Sequence, residues 1–254
     1  MRALILMLFL IMGAQVQGAC RHALVLALDI SGSVDRFEYD LQLRGVAAAL
    51  RDGEIQDLVL SDPDNPIELS VFEWNAPRQQ SLLLDWTELT DEDVMVEVAE
   101  AILRKPKFQG KRSTAIGNAL QYAKALMDER ADCKRRTIDI SGDGRNNAGI
   151  TPLEFYARER MEDITVNALV VGQPFEALRG DERSPYSAEN LRWYFETKVI
   201  RGHDAFTEVA LGYRDYAEAI KRKLIRELAP LQLSGLPYET VRMRLAGLMG
   251  GIAE

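Results

Sequence analysis

The sequence has no excess of positive charge: 31 Lys and Arg stand against 39 Asp and Glu, which gives a formal net charge of −8. Nucleic acids and anionic membranes attract basic patches, so this balance argues against nucleic acid as a partner. The basic residues are scattered, as is typical of solvated helix faces. A long apolar run is lacking at the amino terminus, where residues 3–12 cover about half of the roughly 20 residues that span a bilayer. We therefore expect no integral membrane span.

That short apolar run suits a secretory signal peptide instead. Arg2 precedes it, and small and polar residues follow it up to Ala19, which is the layout of an export signal. We predict a signal peptide over residues 1–19 and a periplasmic or secreted mature protein. Lipid attachment at Cys20 is an alternative, but Gln17 stands where such signals usually carry a Leu-like residue, so we favour export without a lipid anchor.

Cysteine is scarce, with only Cys20 and Cys133 in the chain. In an oxidising compartment such a pair is expected to form a disulfide, and the alternative is two buried free thiols. Linkers rich in Pro or Ser are also lacking beyond residue 20. The mature chain is long enough for a substantial core, so we expect one domain.

Strand and helix patterns alternate along this domain. The apolar runs at 23–28, 136–140 and 164–171 are typical of buried parallel strands. Segments 67–74 and 79–86, joined by a short turn, indicate a hairpin with one antiparallel strand at a sheet edge. Other apolar spacings predict helices around 43–50, 91–104, 116–123, 152–161, 188–197 and 213–220, and a last strand near 206–209. We predict an α/β fold: a doubly wound, Rossmann-like, mostly parallel sheet with one antiparallel edge strand and helices on both faces.

Three loops offer oxygen atoms that could bind a metal ion. The first strand ends in the pattern D-x-S-x-S, formed by Asp29, Ser31 and Ser33, at the edge of the sheet where α/β folds bind ligands. Thr114 opens the helix near 116–123, and Asp143 lies among glycines after the strand at 136–140. Such oxygens suit Mg²⁺, Mn²⁺ or Ca²⁺ better than Zn²⁺. Alone, the first loop is a weak signal, because such a pattern is more often an ordinary strand-to-helix turn that caps a helix.

Together the three loops resemble the metal-ion-dependent adhesion site (MIDAS) of von Willebrand factor type A (VWA) domains. That site is assembled from D-x-S-x-S, a Thr that opens a later helix and an Asp in a D-G loop, and the match is closest to a bacterial exported subgroup. The resemblance implies a VWA-like domain over residues 20–230 and a carboxyl-terminal tail over residues 231–254. It implies metal roles for Asp29, Ser31, Ser33, Thr114 and Asp143. One departure is Gly142, where many members have Ser or Thr.

The resemblance also implies a function and a check on the topology. A divalent cation, first of all Mg²⁺, held by two carboxylates and several hydroxyls keeps a position that an Asp or Glu of a protein partner can fill. The same fold places the first and fourth strands side by side, so that Cys20 and Cys133 meet at the far end of the sheet. A disulfide there closes a loop of about 110 residues and stabilises the fold by roughly 4–5 kcal/mol.

Two alternatives compete with a binding module. One is a metal-dependent hydrolase or phosphatase, but enzymes that resemble haloacid dehalogenases carry a second Asp where this chain has Ser31. A serine hydrolase needs a positioned base, and His22 lies away from the strand ends, which leaves only His203. We therefore expect a protein that is not an enzyme. The other alternative is a scaffold whose loops bind no metal. Asp139, inside the fourth strand, is either a structural acid or a support for the site.

Overall fold

A six-stranded sheet with the strand order β3-β2-β1-β4-β5-β6 forms the centre of the molecule. In the computed structural model, which describes residues 20–104, 113–173 and 184–229, β3 is antiparallel to β2 and every other neighbouring pair is parallel. The predicted fold class is thereby confirmed. The predicted signal peptide and tail lie outside the described residues. The strands are β1 (His22–Asp29), β2 (Ile67–Trp74), β3 (Gln80–Leu89), β4 (Arg135–Gly142), β5 (Thr165–Gly172) and β6 (Thr207–Leu211).

Helices cover both faces of this sheet. In the described ranges they are α1 (Arg36–Leu50), α2 (Gly53–Val59), α3 (Glu92–Arg104), α4 (Ile116–Asp128), α5 (Pro152–Arg158), α6 (Ala188–Lys198) and α7 (Tyr216–Leu228). None of these helices combines the length and apolar character that crossing a membrane requires. Helix α2 was not predicted because its seven residues are too few to show an apolar period. The helix predicted from residue 213 begins with a 3-10 turn over Tyr213–Asp215.

Strand β1 shows how the sequence generates two cores. Successive side chains of a strand point to opposite faces, and all eight residues of β1 are buried. One set packs with α1, α3 and α7, and comprises Leu24, Leu26 and Leu28. The other set packs with α4, α5 and α6, and comprises Ala23, Val25 and Ala27. The uninterrupted apolar run is therefore the mark of a strand covered on both sides.

The predicted disulfide is present at the amino-terminal edge of the sheet. Cys20 and Cys133 are bonded, with their Cα atoms 4.6 Å apart and 113 positions apart in sequence. They meet because β1 and β4 pair in parallel from His22 opposite Arg135. A loop of this length is stabilised by roughly 4–5 kcal/mol in the chain-entropy view.

A buried ion cluster joins α7 to the sheet. The Nζ of Lys223 lies 2.7 Å from Oδ2 of Asp139 on β4, and it also pairs with Oε1 of Glu227. Asn167 on β5 donates its Nδ2 to the same Glu227 oxygen at 2.7 Å. All four residues are buried, so the expectation that basic side chains occupy solvated faces is wrong for Lys223. Burial raises the pKa of Asp139 to about 7, and Lys223 opposes that rise. Asp139 is thus a structural acid.

Candidate metal site

The loop after β1 folds into a turn that places its polar groups side by side. Asp29 is fully buried, and its Oδ1 accepts the backbone N–H of Ser31 at 2.7 Å. The hydroxyl oxygens of Ser31 and Ser33 lie 3.1 Å apart. From α1, Gln42 donates an amide hydrogen of its Nε2 to the carbonyl oxygen of Asp29 at 3.1 Å. This hydrogen bond from α1 therefore helps to fix where the loop leaves the sheet.

Asp143 joins this loop from the end of β4. The hydroxyl of Ser33 donates to Oδ1 of Asp143 at 2.7 Å, across 110 positions of sequence. The four residues differ in burial: Asp29 and Ser31 are buried, Asp143 is partly buried and Ser33 is exposed. The site consequently has a closed floor and a side that faces solvent.

Thr114 completes the group from the loop before α4. It is buried, and a Cβ atom at Gly144 would lie 3.6 Å from its Oγ1. The N–H of Thr114 donates to Oδ1 of Asn147 at 2.8 Å, and the N–H of Asn147 donates to the Thr114 carbonyl oxygen at 2.9 Å. Asn146 adds a second link, because its Oδ1 accepts the N–H of Gly117 at 3.2 Å. The structure thus brings all five predicted metal residues to one edge of the sheet.

The two asparagines were not predicted as part of the site. The sequence offers one signal for them, since they follow Asp143 within a loop bounded by glycines. Asparagine is also a common turn residue for purely local reasons. Its pairing with a threonine 33 positions earlier is visible only in the fold.

The electrostatics of the site favour a cation. Burial raises the pKa of Asp29 well above its usual value, and the nearby charge of Asp143 raises it further. Burial also raises the pKa of Asp143, against the hydrogen bond from Ser33, while Glu38 raises it further. Two carboxylates that share a poorly solvated site resist ionising together. A divalent cation would offset that repulsion.

One atom of the site fits this role directly. Oδ2 of Asp29 is buried and has no hydrogen-bond partner among the described residues, whereas buried polar atoms are normally satisfied. Two carboxylates and three hydroxyls are also the oxygen donors that hard divalent cations prefer. The residues present therefore fit a divalent cation.

The departure at Gly142 has a packing reason. A Cβ atom at this position would lie 3.3 Å from Oδ2 of Asp29 and 3.2 Å from Cζ of Phe195. Both distances are shorter than an ordinary van der Waals contact. Phe195, which is fully buried, packs against this point, so glycine leaves room for both the ring and the carboxylate.

A cavity of about 300 Å³ opens beside these residues. Its wall includes Ser33 and Thr114 of the site together with Arg145 and Tyr186. The side of the site that faces solvent therefore continues into a small recess that a ligand group could enter.

Both histidines lie at the opposite edge of the sheet. His22 begins β1, is buried and shares a 2.8 Å hydrogen bond between its Nε2 and Oγ1 of Thr137. Burial lowers its pKa to about 3. His203 precedes β6 and pairs at the surface with Asp204. Neither imidazole is placed to act on a group bound near Asp29.

A sequence family and several solved structures are similar to this chain. The family described as "Protein of unknown function (DUF1194)" matches residues 19–232. No curated protein sequence matches the chain. The similarity therefore covers nearly the whole of the described region and comes without a curated relative.

The solved structures share the fold at low identity. Proximal thread matrix protein 1 from the mussel byssus, with a zinc-occupied MIDAS motif, has a TM-score of 0.56 at 16% identity over 84% of this chain and 47% of that chain. The pilus adhesin SpaC from Lactobacillus rhamnosus GG, in its open conformation, has a TM-score of 0.58 at 15% identity over 84% and 30%. A von Willebrand factor type A protein from Catenulispora acidiphila has 0.55 at 14% over 82% and 43%. The chain spans less than half of each, and the predicted VWA-like fold is confirmed.

Proposed function

Because this chain belongs to the family described as "Protein of unknown function (DUF1194)" and has a VWA-like fold, we propose that it is an exported binding module. It engages an acidic group of a protein partner through a divalent cation. The observation that carries the proposal is the hydrogen bond between Ser33 and Asp143, which joins two separate loops beside the unpartnered Oδ2 of Asp29.

Five side chains would hold the cation. These are Asp29, Ser31, Ser33, Thr114 and Asp143, and the cation, when bound, supplies a positive centre with a free position for an oxygen ligand. Mg²⁺ is the first choice for such donors, and Mn²⁺ or Ca²⁺ are the alternatives. The exposure of Ser33 on the solvent side leaves room for a carboxylate from outside the chain.

The disulfide supports export. Disulfides persist in oxidising compartments and are rare in the cytosol, and Cys20 directly follows the predicted signal peptide. Its sulfur is bonded to Cys133, so it is not available to carry a lipid. We therefore favour a periplasmic or secreted protein without a lipid anchor at this cysteine.

A binding role accounts for the site better than catalysis does. A hydrolase of the serine type needs a base within hydrogen-bond reach of its nucleophile. His22 and His203 lie at the other edge of the sheet, and Asp29 is followed two positions later by Ser31 instead of a second acid. These observations support a protein that is not an enzyme.

Thermal unfolding in Mg²⁺, Mn²⁺ and EDTA tests the proposal. Saturation at about 100 times Kd adds about 2.7 kcal/mol to the folded state, which raises the Tm of a domain of this size by roughly 5–10 °C. Asp29→Asn is expected to abolish the rise, whereas Asp57→Asn, at an exposed position of α2, keeps it. An unchanged wild-type Tm in both metals would favour the metal-free scaffold, as would an equal rise in Asp29→Asn.

A further inference from the structure

The cavity beside the site holds a basic residue that the metal proposal does not use. Arg145 follows Gly144 in the loop after β4 and lines the recess of about 300 Å³ together with Ser33 and Thr114. It is the one Lys, Arg or His among the described residues that form this wall. A ligand group that approaches Ser33 from solvent therefore meets a guanidinium in the same recess.

Contacts on one side hold this guanidinium in place. Its Nη2 donates to the carbonyl oxygen of Asn190 at 3.4 Å, and its central carbon lies 5.6 Å from the centre of the Tyr194 ring. That ring is fixed in turn, because Tyr194 Oη accepts the N–H of Asn146 at 3.2 Å. Arg145 is thus ordered before any ligand binds, which lowers the entropic cost of recognition.

The charge of Arg145 is not matched within the described ranges. No carboxylate there lies within ion-pair distance of it, and its buried Nε has no hydrogen-bond partner among those residues. Arg130, another partly buried arginine, differs in this respect, because its Nε lies 2.5 Å from Oε2 of Glu68. An ordered, half-buried guanidinium beside a cavity is suited to bind a carboxylate through two parallel hydrogen bonds.

We propose that Arg145 is a second anchor of the binding site, which takes a second carboxylate of the same partner segment. The site then selects peptides with two neighbouring acidic residues over peptides with one. This inference rests on the proposed function, because the first carboxylate is the one that the metal residues receive. The recess lies at the lower end of the usual range for ligand pockets, roughly 300–1,000 Å³, so we place the two carboxylates on adjacent residues.

Three capped peptides test this selectivity in Mg²⁺. They are acetyl-Gly-Glu-Glu-Gly-amide and its two variants with one Glu replaced by Gln, each titrated into the ¹⁵N-labelled protein and followed by NMR. We expect the two-acid peptide to bind wild type roughly tenfold more tightly than either one-acid peptide, as suits a charge-assisted hydrogen bond. In Arg145→Gln this preference falls to about the twofold difference that counting of two equivalent acids allows.

A control variant and a measurement on the wild-type protein show whether the effect is specific to Arg145. Arg44→Gln removes an exposed arginine of α1 that pairs with Asp40, and it should keep the full preference. In the wild-type protein, the Nε–H resonance of Arg145 should shift with the two-acid peptide and stay in place with the others. This readout remains valid if Arg145→Gln does not fold.

The outcomes separate the two proposals. Metal-dependent binding of all three peptides, with the same preference in wild type and Arg145→Gln and no shift of the Arg145 resonance, overturns the second anchor and leaves the proposed function intact. If no peptide binds wild type in Mg²⁺ while the metal raises the Tm, the acidic partner and the second anchor both fall and the metal site stands.

Discussion

Two pairs of acidic residues lie on or beside the same sheet, and they differ in whether the chain itself supplies a positive charge. On β4 and α7, Asp139 and Glu227 share the ammonium of Lys223, which is itself completely buried. At the carboxyl edge, Asp29 and Asp143 share no basic residue within ion-pair distance in the described part of the chain. Because an uncompensated buried charge is costly, the second cluster supports our proposal of a cation from outside the chain, whereas the first joins α7 to the sheet through Lys223.

Removal of the buried Lys223 ammonium should have the largest effect on stability. Lys223→Met leaves two buried carboxylates without a counter-charge, and we expect a loss of roughly 3–5 kcal/mol in the free energy of unfolding. The matched control is Lys221→Met on the same helix. Its ammonium lies 2.7 Å from Asp52 but is partly exposed, so we expect a much smaller loss than for Lys223→Met.

Urea denaturation of both variants measures the difference. Equal losses in Lys223→Met and Lys221→Met would contradict the contrast between the two acidic clusters, because a buried and an exposed lysine would then contribute alike.

Asp29→Asn should raise the free energy of unfolding of the metal-free protein, whereas Lys223→Met lowers it. It removes a buried carboxylate and keeps the acceptor for the Ser31 N–H, so we expect the variant to be more stable than the wild type at pH 7.5. The gain depends on pH because the pKa of Asp29 is raised in the folded state. Protonated Asp29 stabilises the fold fully below its ordinary pKa of 3.8, and that contribution is lost as the pH rises through the folded pKa.

The measurement is the difference in unfolding free energy between wild type and Asp29→Asn, with metal removed, from pH 4 to pH 8. Asp139 is present in both proteins, so its own titration cancels, and the difference reports Asp29 together with Asp143, whose charge acts on it. The difference should be small at pH 4 and grow as the pH rises. A difference that is constant with pH, or a variant that is less stable at pH 7.5, would show that Asp29 is compensated within the chain.

Asn147→Ala should have the smallest effect, and it tests whether the position of Thr114 matters for the proposed metal site. The variant loses the acceptor for the N–H of Thr114, a contribution of about 1 kcal/mol. Since Thr114 is then held less firmly, we expect the Kd for Mg²⁺ to rise severalfold, measured from the dependence of Tm on Mg²⁺ concentration. Asn65→Ala, in a turn at the opposite edge of the sheet, should leave the Kd unchanged.

Features that repeat along the chain were predictable from the sequence, and features that depend on distant pairing were not. The strands and longer helices follow from apolar periodicity, and the D-x-S-x-S pattern locates Asp29 at a strand end because parallel strands finish at one edge. Lys223 was misjudged because a lysine on an amphipathic helix usually reaches water. Its burial depends on Asp139, which lies 84 positions earlier and on another element. The position of Arg145 beside the cavity was not predictable for the same reason, because its neighbours belong to α6.

The cross-link at the amino-terminal edge has a mechanical consequence. Asp29 and Asp143 follow the last residues of β1 and β4, and these two adjacent strands are covalently joined through Cys20 and Cys133 at their other ends. A force that a bound partner applies at the carboxyl edge would be transmitted along β1 and β4 to the disulfide between Cys20 and Cys133. The disulfide would therefore oppose the separation of β1 from β4 under force. Treatment with a reductant should lower the force at which the domain unfolds when a bound partner is pulled.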